Sequence, residues 1–311
     1  MGTTPLNVRM TTALRAPTHS LAWCGTQTGV FAQLELAVSF PVIETTGPEA
    51  VHGLERGEWE FCQTGTLPVV ESFLQGGDAV VLFRNALQHA NLCLALRPGL
   101  TTLAELDGKR VGVLSDATSG QTGINARLTL EQAGAAATYV GLGGYGNIYK
   151  ALIAGDIDAG PLPLHLRFAG ERQYGWTIFD LAFGGAIPSV FATTRKLIAS
   201  DRERVLRVAQ GFIRTVRDFK TRPEVYIPVL QQFLQVDDRK LVEDQYRYYV
   251  PLFPQVPRMA LSAEGLQSIR DTFARTYPAA AQVREADFTD SSIVDELEQS
   301  GFIAKVYAEN S

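Results

Sequence analysis

The sequence predicts an α/β fold with two similar lobes and a helical C-terminal tail. Short apolar or β-branched runs alternate with helical segments from residue 6 to about residue 190, which is the pattern of βαβ units around a mostly parallel sheet. The pattern of residues 54–61, in which a helix ends at a glycine and a strand follows, recurs at residues 152–159. Beyond Pro188, long amphipathic segments replace the alternation. Together these observations predict two α/β lobes followed by the tail.

The strands are predicted where short apolar runs are bounded by turn residues, and helices are predicted between them. The predicted strands are Leu6–Thr11, Glu35–Ile43, Trp59–Cys62, Val80–Phe83, Leu92–Leu96, Arg110–Leu114, Thr138–Leu142, Ile157–Gly160 and Trp176–Asp180. This alternation of strands and helices predicts the α/β class.

The repeated stretch indicates how the lobes are arranged along the chain. Leu54–Phe61 and Leu152–Ala159 both read as a helix that ends at a glycine, followed by two acids around an apolar residue and then a buried strand. Gly57 and Gly155 suit the position after a helix, where the backbone often has a positive φ. The order strand, helix, strand, helix, strand recurs around each copy. We expect lobe 1 to comprise residues 1–92 and 189–311, and lobe 2 to be an insertion of residues 93–188.

The tail is predicted to be a series of amphipathic helices. Ser200-x-x-Glu203 has the spacing of a capping box that opens a helix, and Pro223 ends that helix. Its apolar positions are Val205, Val208, Phe212, Ile213, Val216 and Phe219. Further helices are predicted at Pro223–Gln235, at Asp237–Val250, at Ser262–Tyr277 with Ser262 as N-cap, and at Ser291–Gln299 capped by Asp290.

Composition and charge exclude several classes of protein. The chain has 311 residues, of which 46% are hydrophobic and 20% charged, as in a globular rather than a disordered protein. The net charge is −5 and there is no basic stripe, so a nucleic acid is not an expected partner. No apolar window has the length and flanks of a membrane span or of a signal peptide, and removal of a signal peptide from this chain stays open.

Neither a metal nor a cofactor is expected. Cys24, Cys62 and Cys93 are far apart and the four histidines stand singly, which excludes a disulfide framework and a cysteine-rich zinc site. The glycines of 141–146 match the dinucleotide fingerprint in form. However, the helix that follows is short and Asp156 comes too early for a ribose contact. A turn whose backbone N–H groups face a cleft is the preferred interpretation.

Polar loops follow the predicted strands, and they supply the candidate binding residues. Because the carboxyl ends of parallel strands meet at one edge, such loops form a cleft for a small molecule. The candidates are Thr18, His19, Trp23, Thr64, Thr66, Thr118, Ser119, Gly120, Tyr145 and His165. The alternative for the hydroxyl residues is plain helix capping. Aromatic rings beside hydroxyl groups suit a molecule with a planar or apolar part and one polar end, and no catalytic residue is predicted.

Three stretches resemble a known family. They are Leu100–Val113, which contains L-x-x-L-x-G-K-x-V-G-V; Ala151–Ala159; and Asp290–Tyr307, which contains S-G-F-I. In this order they resemble the type 2 periplasmic binding proteins of the NMT1/THI5-like group, whose ligands include sulfonates, taurine, nitrate and thiamin precursors.

The resemblance implies a bilobal clamp that captures a small organic molecule in the inter-lobe cleft and delivers it to an ABC-transporter permease. It places the hinge near Asn91–Leu94 and Ile187–Val190, and it implies a monomer in the periplasm or anchored outside the cytoplasm. A cytoplasmic location is the alternative. A sulfonate, a carboxylate and a heterocycle all stay open as the ligand.

Enzymes on the same fold are the alternative function, with a small aromatic acid as substrate. Aromatic sulfinate desulfinases of this fold use a cysteine, a histidine and an arginine. Alignment on the Gly-x-x-Pro turn puts His52 at the histidine but Cys62 where arginine belongs, and Cys24 lies too close to Gly29 to be the nucleophile. Leu82–Leu96 resembles the dihydroxyphthalate decarboxylase-like members.

Overall fold

The strands form two five-stranded sheets in the part of the chain that the structure describes. This structure is a computed structural model, and it describes residues 5–86, 92–115, 117, 121–163, 166–167, 170–181 and 189–308. The chain divides into two compact units. Unit 1 comprises Met1–Gln88 and Gly185–Ser311, and unit 2 comprises His89–Gly184.

The strands are numbered along the chain. They are β1 Leu6–Thr12, β2 Leu36–Ile43, β3 Phe61–Thr64, β4 Ala79–Arg84, β5 Leu92–Leu96, β6 Arg110–Val113, β7 Thr138–Gly141, β8 Ala159–Pro163, β9 Thr177–Asp180 and β10 Val190–Thr194. The sequence missed β10, which begins next to the predicted hinge.

The sheet of unit 1 has the order β2-β1-β3-β10-β4. β1 runs parallel to β2 and β3, whereas β10 runs antiparallel to β3 and β4. β2 is the edge strand, and it contains Pro41 where the register with β1 shifts between Arg9 and Thr11. Proline lacks the N–H that a ladder needs, so an edge strand with an irregular register accommodates it.

The sheet of unit 2 has the order β7-β6-β8-β5-β9, in which β5 runs antiparallel to β8 and β9. Each sheet therefore has three parallel strands, then an antiparallel one, then a fifth. The prediction of two similar α/β lobes is confirmed by this shared order. In unit 1 the antiparallel strand comes from the later part of the chain, and in unit 2 it comes from the earlier part.

Two predicted strands begin two residues too early. β3 begins at Phe61 rather than Trp59, and β8 begins at Ala159 rather than Ile157. After each glycine the chain still bonds to the preceding helix, through Glu58 N to Gly53 O at 2.8 Å and Asp156 N to Ala151 O at 2.9 Å. The positive φ predicted for the two glycines is confirmed, at 73° for Gly57 and 79° for Gly155.

The helices within the described residues are also numbered along the chain. They are α1 Leu21–Gln27, α2 Gly47–Glu55, α3 Thr66–Leu74, α4 Gln121–Gln132, α5 Tyr145–Ala154, α6 Arg195–Ser200, α7 Arg202–Thr221, α8 Pro223–Leu234, α9 Arg239–Tyr249, α10 Ala263–Phe273, α11 Glu285–Phe288, α12 Ser292–Gln299 and α13 Phe302–Ala308. Across the described ranges, no helix combines the length and apolarity needed to cross a bilayer.

The helical tail is confirmed, but the capping box predicted at Ser200 is wrong, and the N-cap of α12 is Ser291 rather than Asp290. Ser200 is the last residue of α6, and Asp201 is the N-cap of α7, where its side chain accepts a hydrogen bond from Arg204 N. The capping-box prediction failed because a short helix ends immediately before the long one. Ser262 does cap its helix, since its Oγ accepts from Gly265 N at 3.0 Å.

An aromatic part of the core of unit 1 lies between the sheet and α7. All six apolar positions predicted for α7 are buried. Phe191 of β10 stacks between Phe61 and Phe83, with ring centroids 5.5 and 5.2 Å away, and Phe212 of α7 packs on Phe83 at 5.0 Å. Aromatic burial of this kind dominates core stability, so β10 is integral to unit 1.

Candidate functional site

The carboxyl edge of the unit 1 sheet is where β1, β3 and β4 end and the antiparallel β10 begins. Thr64 ends β3, Asn85 follows β4 and Ser189 precedes β10, and all three are buried. In open α/β sheets this edge is where ligands bind. The edge therefore brings together polar side chains from segments that are distant in the sequence.

A 3-10 turn at Pro17–His19 carries two of the predicted site residues at this edge. Thr18 and His19 are both buried, and Thr18 Oγ1 lies 3.2 Å from His19 Nδ1. Burial lowers the pKa of His19 from 6.5 to about 3, because a charged imidazole would lose its hydration. The imidazole is neutral at physiological pH, so it can act in hydrogen bonding without adding a charge.

Gln63 of β3 holds this turn against the sheet. Its Nε2 donates to Thr18 O and its Oε1 accepts from Ala22 N, both at 3.3 Å. Ser20 precedes α1 but its hydroxyl donates back to Pro17 O at 2.7 Å. Gln63 Oε1 therefore accepts a hydrogen bond from an N–H of the first turn of α1, which is the usual role of an N-cap side chain.

Asn85 and Ser189 extend the same set of hydrogen bonds. Asn85 Nδ2 donates to Ser189 Oγ at 2.9 Å, and Ser189 Oγ donates to Thr18 O at 3.4 Å. Sequence reasoning missed Gln63, Asn85 and Ser189. The available signal was a polar residue inside or beside a run that is otherwise apolar, since a buried polar side chain requires partners.

Thr64 and Thr66 lie at the same edge, but neither of them lies in a loop. Thr64 is the last residue of β3 and donates to Gly47 O at 3.3 Å, and Thr66 begins α3. The expected loop placement of Thr64 is wrong because β3 begins and ends two residues later than predicted. Both side chains are buried.

Trp23 is half-buried and packs on the tail. Its ring centroid lies 5.5 Å from that of Phe233 in α8. Arg15 stacks on Phe233 at 5.9 Å, donates to its carbonyl at 2.7 Å and pairs with Glu44 at 3.2 Å. The charge of Arg15 is therefore already matched by an acid.

Unit 2 has its own carboxyl edge, where β6, β7 and β8 end. Tyr145 begins α5 just after β7, and its hydroxyl lies 2.7 Å from Thr122 Oγ1 of α4. Both residues are buried. In the turn before α5, Gly143 has a φ of 75° and donates its N–H to Leu114 O. The predicted candidates Thr118, Ser119, Gly120 and His165 lie outside the described residues.

The three cysteines are buried free thiols. Burial raises the pKa of Cys24 and of Cys93 to about 12, and it also raises the pKa of Cys62 well above its usual range. The thiolate, which is the nucleophilic form, is therefore scarce at neutral pH. His52, by contrast, is exposed on α2. Among the described residues, no group of three or more metal-ligating side chains is placed to hold an ion.

No protein-family model and no curated protein sequence matches the chain. Solved structures do. The alkanesulfonate-binding protein SsuA from Xanthomonas axonopodis pv. citri, bound to MOPS, is similar over 95% of this chain and 98% of its own, with 17% identity and a TM-score of 0.71. A Candida albicans protein that exhibits the generic periplasmic binding protein fold matches over 94% of both chains, with 13% identity and a TM-score of 0.64. The chain has the type 2 periplasmic-binding-protein fold.

This fold also occurs in an enzyme among the similar structures. The desulfurization enzyme DSZB matches over 94% of this chain and 99% of its own, with 13% identity and a TM-score of 0.64. The type 2 periplasmic-binding-protein fold is therefore common to binding proteins and to at least this catalyst. The residues at the site, rather than the fold, must separate the two roles.

Proposed function

We propose that the protein is a solute-binding protein that captures a small organic molecule and delivers it to an ABC transporter. The observation that carries this proposal is the likeness to the alkanesulfonate-binding protein SsuA over nearly the whole of both chains. The ligand classes that fit are a sulfonate, a carboxylate or a heterocycle. A transporter permease would be the protein partner, and the site of action would be the periplasm or the outer face of the membrane.

The hydrogen-bonding character of the described edges supports binding rather than chemistry. In unit 1 the proposed ligand residues are Thr18, His19, Trp23, Thr64 and Thr66, and none of their side chains carries a formal charge when His19 is neutral. Such groups orient a ligand through hydrogen bonds and apolar contact. For unit 2 we propose Tyr145, together with Thr118, Ser119, Gly120 and His165. The inter-lobe cleft, the hinge and the monomeric state stay predictions.

The proposal is tested by a thermal-shift screen followed by calorimetry. The panel contains ethanesulfonate, taurine, nitrate, benzoate, nicotinate and uracil. A ligand at about 100 times its Kd stabilises the folded protein by about 2.7 kcal/mol, which raises Tm by roughly 5–10 °C. Tyr145→Phe should weaken the affinity for the ligand that the screen identifies. Thr221→Val, a substitution at an exposed position at the end of α7, serves as the matched control.

A second candidate is an enzyme acting on a small aromatic acid, which the match to DSZB favours. The raised pKa values of Cys24 and Cys62 weigh against cysteine nucleophiles of the desulfinase kind. The two functions are separated by mass spectrometry of each stabilising compound after incubation with the protein. Recovery of the compound unchanged supports binding, and a product that forms only with protein present supports catalysis.

A further inference from the structure

A buried polar cluster at the carboxyl edge of the unit 1 sheet carries information about the ligand. We define this cluster as Thr18, His19, Gln63, Asn85 and Ser189, all of which are buried. Its members donate and accept hydrogen bonds but bring no formal charge, since burial keeps His19 neutral. A ligand group that binds here would be recognised by direction and polarity rather than by charge.

Asn85 leaves one acceptor of this cluster unused. Ser189 Oγ donates its hydrogen to Thr18 O, so the same oxygen must accept from Asn85, which fixes Nδ2 as the atom that faces Ser189. This orientation places Oδ1 on the other side of the amide. Asn85 is fully buried, and within the described residues its Oδ1 has no hydrogen-bond partner.

Gln245 provides a second unused amide on the helix that packs against this turn. α9 contacts the turn at Pro17–His19. Its buried face is formed by Leu241, Val242, Gln245, Tyr246 and Tyr249. Gln245 is fully buried, and among the described residues neither its Nε2 nor its Oε1 has a hydrogen-bond partner.

Buried amide atoms that lack a hydrogen-bond partner within the described residues, one in Asn85 and two in Gln245, are costly, and a fold rarely keeps them for stability. Each unpaired buried polar group destabilises the folded state, and an apolar side chain of the same size would avoid the loss. Leucine has nearly the volume of glutamine and suits a helix better than most residues. Retention of one amide at the carboxyl edge of the unit 1 sheet, and of the other on the helix that contacts the turn at Pro17–His19, is explained if a bound molecule supplies the partner.

We infer that Asn85 and Gln245 are specificity-determining residues that read an uncharged amide-like edge of the ligand. This inference rests on the proposed binding function and narrows its ligand class. Asn85 Oδ1 requires an N–H or O–H donor, and the carboxamide of Gln245 is complementary to a donor beside an acceptor. A primary carboxamide or a lactam edge of a heterocycle has that arrangement, whereas a bare sulfonate or carboxylate offers acceptors alone.

The first test measures the stability of Gln245→Leu without ligand. If the amide is unsatisfied in the fold, the variant melts roughly 2–4 °C above wild type, because leucine removes a buried unpaired group. Tyr246→Phe is the matched control on the same helix, and it should melt lower, since the Tyr246 hydroxyl donates to Phe219 O. A Gln245→Leu protein that melts below wild type has lost an internal partner, and this result overturns the inference.

The second test compares paired probes by calorimetry: nicotinamide with N,N-dimethylnicotinamide, 2-pyridone with N-methyl-2-pyridone, and uracil with 1,3-dimethyluracil. Wild type should prefer the N–H-bearing member of a pair at least tenfold, and Gln245→Leu should lose about tenfold of that affinity, the effect of one buried hydrogen bond. Tyr246→Phe should keep the preference. The inference is overturned if ethanesulfonate or benzoate binds wild type and Gln245→Leu with equal affinity and no N–H-bearing probe is preferred. The proposed function would then still stand.

Discussion

Gln63→Leu tests whether one side chain holds the candidate site of unit 1 in place. The substitution keeps the side-chain volume but removes both amide atoms. Thr18 O then keeps the bond from Ser189 Oγ, whereas the Ala22 N–H at the start of α1 loses the partner that Gln63 provides.

The magnitude follows from the two bonds. Each is 3.3 Å long and is worth about 0.5–1.5 kcal/mol net, and leaving the Ala22 N–H buried without a partner adds to the cost. We expect the free energy of unfolding to fall by about 2 kcal/mol. With a Tm shift of about 2–4 °C per kcal/mol for a chain of this size class, the melting temperature should drop by roughly 4–8 °C.

The assay is urea unfolding followed by circular dichroism, with a thermal scan beside it. Gln267→Leu is the matched control, because Gln267 is exposed and its side chain donates to Asp271 within α10. Its effect should stay within about 0.5 kcal/mol. If Gln63→Leu is as stable as this control, the turn at Pro17–His19 does not depend on β3 and the reasoning about the site fails.

Three further predictions concern packing and titration. Gly53→Ala should destabilise by about 1–3 kcal/mol and shift the fluorescence of Trp59, because the new Cβ would lie 2.1 Å from that ring; unchanged stability and emission would contradict this packing. The pKa of His19 is lower in the folded protein than its unfolded value of 6.5, so the free energy of unfolding should fall by about 2 kcal/mol between pH 7 and pH 5. Urea unfolding at each pH should show a smaller fall for His19→Gln, and an equally large fall in that variant would refute the prediction. Cys24 and Cys62, whose pKa values are raised, should react with iodoacetamide at pH 8 at least tenfold more slowly in the native than in the urea-unfolded protein, as mass spectrometry of both samples would show.

Local pattern was sufficient for most of the fold. The alternation of apolar runs, the helix-ending glycines Gly57 and Gly155 and the apolar stripe of α7 all depend on neighbours within a few residues, so the sequence predicted them correctly. The α/β class and the resemblance of the two lobes follow from the same local signals.

The candidate site was less predictable, since its key contacts join residues far apart in the sequence. Thr18 and His19 were named as candidates because they follow a strand. Gln63 and Ser189 bond to the turn from two strand ends, Asn85 bonds to Ser189, and the tail helix that carries Gln245 contacts the turn. No local pattern marks such a meeting. A polar residue in an apolar run predicts that its side chain has a buried hydrogen-bond partner, but it does not identify that partner.

The sequence by itself determined the class of the fold, the order of strands β1–β9 and the edges at which polar loops follow strands. These features are set by local propensity and by periodicities of two and 3.6 residues. The tertiary structure alone decided that β10 enters the unit 1 sheet antiparallel and that the buried polar cluster forms beside it. The hydrogen bonds of this cluster join residues up to 171 positions apart in the sequence, and packing of the whole chain is needed to bring such groups together.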